Sequence, residues 1–320
     1  MHCSEVINSI DMEDIACPLG CPRNDEVVLT SRDMLHDLPG AFTILKCRQC
    51  SLMRTNPRPT LSTVGFYYPD NYGPYLGNRV RQPGRASSVK KLLKPLVKKC
   101  FNFNTTLVPP LTPGRLLEVG CASGAFLHHM AGQGWQVEGI EFSKKPAEAA
   151  AARGYAVYAG PLESAPSPSE PFDLIVGWMV LEHLHDPLVG LRKLCTWAKP
   201  GSWLVLSVPN AGSLEFSFFK ENWYSLDVPR HLYHFTPETL RHILQASGWS
   251  LERIYHQRVL NDLVASIGYV LRNRGYARLG GKLIDFPDRD SKLHFALYPL
   301  AWCLSIFGQT GRMTVWARKI

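Results

Sequence analysis

The feature that most constrains this chain is an apolar strand pattern that runs directly into a turn of small residues and then into a helix pattern. Residues 115–126 read RLLEVGCASGAF, with small residues at positions 120, 122 and 124. Glycine lets the backbone approach a ligand closely, and a helix start presents free N–H groups. A dinucleotide site is spelled G-x-G-x-x-G, which this turn does not match. The turn therefore indicates a ligand other than NAD.

Strand and helix patterns alternate around this turn, as they do in a parallel α/β sheet. Thr236 followed by Pro237 is typical of a helix start. Apolar strands are expected at 115–119, 136–140, 156–158, 172–176 and 202–207, and helices at 125–131, 146–153 and 188–198. The sequence therefore predicts the α/β class.

Two acidic residues indicate which ligand the turn accepts. Glu118 stands two residues before Gly120, where a carboxylate would repel phosphate but attract an ammonium group. Glu141 follows the second strand, where an acid can accept hydrogen bonds from both hydroxyls of a ribose. A ligand with a cationic amino acid end and a ribose, but without phosphate, is S-adenosylmethionine. The sequence therefore predicts that cofactor.

Residues 106–255 resemble the class I S-adenosylmethionine-dependent methyltransferases. The resemblance rests on the E-x-G-x-[GA]-x-G turn, the acid after the second strand, FDLIVGWMVLEHLHDP at 172–187 and KPGSWLVLSVPN at 199–210. It implies a Rossmann-like methyltransferase sheet. It also implies the cofactor-binding residues: Glu118, Gly120 and Gly124 on the methionine side, Glu141 at the ribose, Phe142, Leu162 and Glu163 beside the adenine, and Trp178 closing the pocket. Ala122 stands where this family more often has glycine, and its methyl group is expected to fit if its φ angle is negative.

Four of the nine cysteines form two close pairs, Cys17-x3-Cys21 and Cys47-x2-Cys50. Thiolates held in two tight turns can complete the four-sulfur shell that suits zinc. Four cysteines leave no open coordination position, so we expect structural Zn²⁺, with free thiols as the alternative. The chain also resembles a bacterial group of methyltransferases associated with sugar, polysaccharide or small-metabolite tailoring. This resemblance rests on the order of features along the chain: the cysteine pairs, N-P-R-P-T at 56–60, an aromatic segment and the core. Related sugar C-methyltransferases share an N-terminal zinc module.

The chain is expected to comprise a small zinc-knuckle module (1–60), an aromatic and basic helical linker (61–105), the methyltransferase core (106–255) and a C-terminal helical extension (256–320). Its formal charge of +8 is uneven. Residues 61–105 hold 8 Lys/Arg against 1 Asp/Glu and residues 256–320 hold 10 against 4, whereas the other two segments are net acidic. An anionic partner is therefore expected at the two basic segments.

Two segments raise the question of membrane contact. The lysine run at 88–99 is expected to be a solvated helix face, with contact to membrane or phosphate as the alternative. The apolar run at 293–307 is shorter than the roughly 20 residues that cross a bilayer and predicts a buried or interfacial helix pair. An acidic N-terminus without a signal segment, together with cysteines expected to be reduced thiols or metal ligands, predicts a cytoplasmic protein. Peripheral contact with the inner face of the membrane is left open.

Two histidine-containing segments lie where the methyl acceptor approaches in this fold, EHLHD at 182–186 and PRHLYHF at 229–235. Imidazole has a pKa near 6.5 and can accept a hydroxyl or carbon-acid proton near neutrality. His183 and His231 are the candidate catalytic bases, with a purely structural role as the alternative. This segment also resembles quinone-pathway O-methyltransferases, some of which carry an acid three residues before the Glu-His pair and use a divalent ion. Met179 occupies that position here, which argues against a metal.

The sequence thus predicts an enzyme that methylates an O, N or C atom of a small metabolite, sugar nucleotide or lipid-linked intermediate. The first alternative is an RNA base methyltransferase with a zinc recognition module. The acidic charge of residues 1–60 and the absence of an Asn/Asp-Pro-Pro-Tyr segment disfavour a nucleic acid partner. The second alternative is a non-catalytic cofactor-binding scaffold. The acceptor and the oligomeric state do not follow from the sequence.

Overall fold

The computed structural model describes residues 10–69, 101–288 and 293–320. The strands are β1 (Met12–Glu13), β2 (Asp25–Ser31), β3 (Phe42–Cys47), β4 (Met53–Thr55), β5 (Arg58–Pro59), β6 (Arg115–Val119), β7 (Gln136–Glu141), β8 (Ala156–Ala159), β9 (Phe172–Trp178), β10 (Ala198–Pro209), β11 (Tyr233–His234), β12 (Trp249–His256) and β13 (Arg312–Lys319). The α-helices are α1 (Ala125–Ala131), α2 (Lys144–Ala151), α3 (Pro187–Trp197), α4 (Leu214–Phe219), α5 (Pro237–Ala246), α6 (Asn261–Asn273), α7 (Ala277–Ile284) and α8 (Leu293–Ile306).

Seven strands form the main sheet, in the order β12-β13-β10-β9-β6-β7-β8. Strands β6 to β10 pair in parallel, and β13 is antiparallel to both of its neighbours. A parallel sheet covered on both faces is built from continuous apolar strands. Ile175 and Val176 in β9, and Leu204 and Val205 in β10, are all completely buried. The predicted α/β fold with a Rossmann-like methyltransferase sheet is confirmed.

The core elements lie close to where the sequence placed them. Strands β6 to β9 match within two residues, and β10 extends the expected strand by several residues because it pairs on both sides, with β9 and β13. Helix α5 begins as expected, since the Thr236 hydroxyl accepts the backbone N–H of Thr239 at 3.2 Å and Pro237 is the first helical residue. Local patterns therefore predict these elements correctly.

The chain ends with a strand that the sequence did not reveal. Segment 256–320 contains helices α6, α7 and α8, as expected, but β13 inserts between β10 and β12 of the main sheet. Met313, Val315 and Ala317 on alternate positions of β13 are completely buried. The last residues therefore complete the core of the methyltransferase sheet. Strand pairing of such long range leaves no mark in local sequence.

The apolar run at 293–307 forms the single helix α8, not the expected helix pair, because Pro299 is accommodated inside it. Nor is the helix buried: among its residues only Ala301 is fully covered. Within the described ranges, no helix has both the length and the apolar character needed to cross a membrane. The lysine run at 88–99 and most of the expected helical linker lie outside the described residues.

The N-terminal segment forms a second sheet, in the order β11-β4-β3-β2. Strand β11 comes from the insertion that follows β10, so this sheet combines the N-terminal segment with a part of the core. The backbone N–H of Thr55 donates to the carbonyl of Leu232 at 2.9 Å, just before β11 begins. The cysteine-containing segment is therefore hydrogen-bonded directly to the insertion that carries His231.

A buried ion-pair network fixes this junction. Arg230 and Asp33 are both completely buried, and two guanidinium nitrogens of Arg230 contact the Asp33 carboxylate at 2.5 and 3.1 Å. Arg230 also donates to Asp227 at 2.8 Å and to the carbonyl of Tyr67 at 3.0 Å. Burial disfavours the charged guanidinium, but Asp227 and Asp33 outweigh it and raise the pKa of Arg230 above its usual value. One cation thus satisfies groups from three separate segments.

Replacing Asp33 by Ala should therefore destabilise the whole fold. Breaking a buried pair leaves an uncompensated charge, which typically costs about 3–5 kcal/mol. The same change removes the acceptor for the backbone N–H groups of Leu35 and His36. Urea unfolding followed by circular dichroism measures the loss.

The matched control is Arg32→Ala, which breaks the neighbouring but exposed pair between Arg32 and Asp37. Exposed pairs contribute at most about 1 kcal/mol. If Asp33→Ala cost no more than this control, the buried network would not be what joins the two sheets.

Candidate active site

A cavity of about 780 Å³ opens at the carboxyl ends of β6, β7 and β9. In parallel α/β sheets this edge is where ligands bind. Seven of the nine predicted cofactor-binding residues lie on its wall: Gly120, Ala122, Glu141, Phe142, Leu162, Glu163 and Trp178. Both candidate bases, His183 and His231, lie on the same wall. One continuous cavity therefore joins the two predicted sites.

The turn after β6 needs small residues for specific reasons. Gly120 has φ 72°, and a side chain there would collide with Val180. Ala122 has φ 44°, so the negative φ on which its easy fit depended is not adopted. The left-handed conformation costs an alanine about 1–2 kcal/mol. It directs the Ala122 N–H to Oε2 of Glu141 at 2.8 Å, which offsets part of that cost.

Glu141 is held firmly at the end of β7. Oε2 accepts the N–H of Ala122 and Oε1 accepts the N–H of Ser143, both at 2.8 Å. Burial raises the pKa of Glu141, and the two backbone donors partly oppose this rise. Each carboxylate oxygen retains a second lone pair. The side chain can therefore accept two further hydrogen bonds from a ligand in the cavity.

Glu118 and Gly124 lie behind the turn, not on the cavity wall. The Glu118 carboxylate accepts the backbone N–H of Leu127, and its Oε2 is buried without a hydrogen-bond partner. Burial raises the pKa of Glu118 to about 8. Gly124 precedes α1 with φ 79°. Neither residue is among those that line the cavity, and the cofactor contacts that the resemblance implies for them stay a prediction.

The adenine side of the wall is apolar and partly open. Phe142 is 44% exposed and its ring centroid lies 6.4 Å from that of Tyr68. Leu162 is buried, and Glu163 follows it in a short 3-10 helix. At the other side, Trp178 ends β9 with its indole Nε1 buried and without a hydrogen-bond partner. The cavity wall is therefore open beside Phe142.

The two candidate bases, which come from separate segments, meet with ring centroids 4.6 Å apart. Nδ1 of His183 lies 3.0 Å from the carbonyl of Arg230, and Nδ1 of His231 lies 2.8 Å from the carbonyl of Ser225. A carbonyl can only accept, which assigns the ring proton of His231 to Nδ1 and a lone pair to its Nε2. Nδ1 of His183 also lies 2.9 Å from the Tyr68 hydroxyl, which can donate or accept. Burial lowers the pKa of His183 to about 4 and that of His231 to about 3. Both rings are therefore neutral near pH 7.

Two carboxyl groups flank His231. Its Nε2 lies 3.9 Å from Oε1 of Glu182 and 3.9 Å from Oδ2 of Asp227. Glu182 is completely buried with both oxygens unpartnered, and burial raises its pKa to about 8. Burial also acts to raise the pKa of Asp227, but Arg230 outweighs it and lowers that pKa to about 2. At neutral pH the ring faces one neutral and one ionised carboxyl group.

This cluster can act chemically in two ways. Ligand atoms of Glu182, His183 and His231 all lie within 4.8 Å of one another, a spacing that suits a divalent ion. The same groups can relay a proton from a molecule in the cavity. Met179, which stands where some related enzymes carry an acid, contributes no metal-binding oxygen. Its sulfur accepts a hydrogen bond from the Ser207 hydroxyl at 3.7 Å.

The four paired cysteines converge on one point. Sulfur atoms of Cys17, Cys21, Cys47 and Cys50 all lie within 4.8 Å of one another, and those of Cys17 and Cys50 are 3.5 Å apart. Four sulfurs bound to one zinc at about 2.3 Å would be separated by similar distances. Burial opposes ionisation of Cys47, but backbone N–H groups at its sulfur lower its pKa. The geometry fits a tetrahedral four-sulfur site.

Several cavity residues were not selected from the sequence. The Tyr68 hydroxyl lies 2.9 Å from Nδ1 of His183. The Arg312 guanidinium donates hydrogen bonds to the Asp262 carboxylate at 2.6–3.0 Å. Tyr68 belongs to the aromatic sequence segment at 66–72, whose residue spacing does not predict a function. Arg312 lies at the start of the unforeseen strand β13. Further wall residues in this group are Tyr224, Asn261 and Tyr269.

Comparison with known proteins agrees with this architecture. A family model described as a methyltransferase domain matches residues 87–254, just over half of the chain. Ubiquinone biosynthesis O-methyltransferase of Bordetella parapertussis is 33% identical over 116 residues, covering 34% of this chain and 48% of that protein. The protein of the same name from Thiobacillus denitrificans is 30% identical over 115 residues, covering 33% and 49%. The chain thus spans about half the length of the curated relatives it matches.

Solved structures give weaker likenesses. An S-adenosylmethionine-dependent methyltransferase from Mesorhizobium loti matches with a TM-score of 0.46 and 16% identity, covering 71% of this chain and 97% of that one. A possible histamine N-methyltransferase from Thermotoga maritima matches with a TM-score of 0.44 and 17% identity, covering 77% and 93%. The family match, the strand order and the turn after β6 together show that the chain belongs to the class I S-adenosylmethionine-dependent methyltransferase family.

Proposed function

We propose that the protein transfers the methyl group of S-adenosylmethionine to a hydroxyl oxygen of a small sugar-like or lipid-linked acceptor. One observation supports this proposal most directly. A single cavity contains both Glu141, the acid expected to bind the ribose, and two neutral imidazoles. The relatives named O-methyltransferases favour oxygen over nitrogen or carbon as the methylated atom. No observation in the described residues favours the RNA or scaffold alternatives over it.

The turn and the β7 end would hold the cofactor. Gly120 allows close backbone approach, and the free lone pairs of Glu141 suit the two ribose hydroxyls. Phe142 would cover the adenine and Trp178 would close the pocket. The buried, unpartnered Nε1 of Trp178 is the kind of donor that a bound polar group satisfies. When bound, the cofactor supplies an electrophilic methyl group on a positively charged sulfur.

His231 is the base that this geometry favours. As the acceptor oxygen bonds to the methyl carbon, its proton must leave, and Nε2 of His231 has the lone pair to take it. Asp227, ionised and 3.9 Å away, stabilises the resulting imidazolium. His183 lines the same wall with its ring fixed by the Arg230 carbonyl, and it would orient the acceptor or share the proton. Proton transfer of this kind typically contributes a factor of about 10²–10⁴.

The cysteine cluster would hold one structural Zn²⁺. Its ligands come from the segment before β2 and from the end of β3, so the ion would connect two parts of the smaller sheet. Four thiolates leave no open position, which excludes this site from the methyl transfer step. The ion would instead stabilise the sheet that carries Asp33.

Replacing Glu141 by Ala should weaken S-adenosylmethionine binding. Wild-type affinity is expected to be micromolar or tighter, about −8 kcal/mol. Losing hydrogen bonds to a charged acceptor costs about 1.5–3 kcal/mol, or roughly 10–150-fold in Kd. Isothermal titration calorimetry with S-adenosylmethionine and S-adenosylhomocysteine measures the change.

Glu148→Ala, an exposed carboxylate on α2, is the control and should bind as the wild type does. Equal affinity of Glu141→Ala and the wild type, or tighter binding of NAD than of S-adenosylmethionine, would contradict the assigned cofactor.

Purified protein should contain about one zinc per chain, because the four sulfurs form a closed shell. Cys47→Ser combined with Cys50→Ser should lose the ion and lower the thermal unfolding temperature. Elemental analysis by mass spectrometry gives the zinc content directly.

Cys303→Ser changes an exposed thiol outside the cluster and should keep the full zinc content. Zinc that remains bound in the double variant would show that these cysteines are not its ligands.

A further inference from the structure

Helix α8 is apolar both on the half that packs on the protein and on the half that faces outward. Its sequence, LHFALYPLAWCLSI, contains no Asp, Glu, Lys or Arg. Successive helical residues are about 100° apart. On that basis the covered positions form one half of the helix, centred on the buried Ala301, and the exposed positions form the other half. A helix at a protein surface normally places polar residues on its outer half, and this one does not.

The outer half of α8 and the residue that follows it carry large exposed side chains. Trp302 is 47% exposed, Ile306 58% and Phe307 70%. Leu293, Phe295 and Leu300 extend the same patch towards the start of the helix. The partly exposed ring of Phe295 also packs on Phe101 and Phe103, with centroids 5.1 and 5.7 Å apart. A contiguous apolar patch of this kind marks a surface that contacts a partner or a membrane. We refer to these six residues as the α8 face.

We propose that the α8 face docks on the surface of an anionic phospholipid membrane. The helix has 14 residues, too few to cross a bilayer, so it would lie in the plane of the interface. Aromatic residues such as Trp302 favour that interface.

Charge supports a membrane over a second copy of the chain. Helix α7, which precedes α8 in the chain, contains no acidic residue, and Arg274, Arg278 and Lys282 near or within it are exposed. Anionic lipids attract basic residues that lie near the membrane surface. Two copies meeting at the α8 face would instead bring like charges together.

The start of helix α8 lies beside one wall of the cavity. Ile284, Asp285 and Pro287 line the cavity wall, and the ring of Phe286 packs on that of His294 with centroids 4.5 Å apart. A docked α8 would hold this part of the wall close to the lipid headgroups. Resting on the proposed function, this placement assigns an acceptor with an apolar lipid tail, which enters the cavity from the bilayer side.

Flotation of the full-length protein with vesicles tests the docking. Vesicles of phosphatidylglycerol mixed with phosphatidylcholine should bind the wild type, and vesicles of phosphatidylcholine alone should bind it more weakly. Trp302→Glu combined with Phe307→Glu should reduce binding at least about tenfold. Phe218→Glu, which alters an 80% exposed phenylalanine on α4, is the matched control and should bind like the wild type.

Three results would overturn the proposal: no binding of the wild type to either vesicle, equal binding of the double variant, or equal loss in Phe218→Glu. Light scattering adds a further test, since a wild-type dimer that becomes monomeric in the double variant would assign the α8 face to a second copy. Calorimetry of S-adenosylmethionine with the same variants keeps the two proposals separate. If the protein binds vesicles but does not bind S-adenosylmethionine, the proposed enzyme function is contradicted and the membrane docking is not.

Discussion

The buried contact of Arg230 with Asp33 and Asp227 is the interaction on which the rest of the structure depends. Asp33 belongs to the N-terminal segment and Arg230 to the insertion after β10, so this guanidinium joins the smaller sheet to the methyltransferase sheet. His231 is the next residue in the chain, and the carbonyl of Arg230 holds His183. The contact that stabilises the fold therefore also sets the positions of both imidazoles.

This arrangement explains how the cavity can provide a proton acceptor that is buried and not exposed to bulk water. Burial keeps both imidazoles neutral, while the charge of Arg230 keeps Asp227 ionised beside His231. On the opposite wall, Ala122 adopts a left-handed conformation that aims its N–H at Glu141. Local backbone strain is tolerated there because it orients the acid that would hold the ribose. Fold stability and site geometry are thus provided by the same few polar contacts.

Local patterns in the sequence predicted the five parallel strands, the turn after β6 and the convergence of four cysteines. These features succeed because each depends on residues close together in the chain. The failures depend on tertiary structure. Strand β13 is defined by its distant partners, and the left-handed φ angle of Ala122 accompanies its bond to Glu141. Arg312 and Tyr68 reach the cavity only through such long-range packing.

A crystal structure with S-adenosylhomocysteine bound tests the central claim most directly, because it shows where the cofactor lies relative to the two imidazoles. The expected complex has both ribose hydroxyls within hydrogen-bond distance of the Glu141 carboxylate and the adenine beside Phe142. Its sulfur faces the part of the cavity lined by His183 and His231. A ribose bound away from Glu141, or a sulfur directed away from both histidines, would contradict the account.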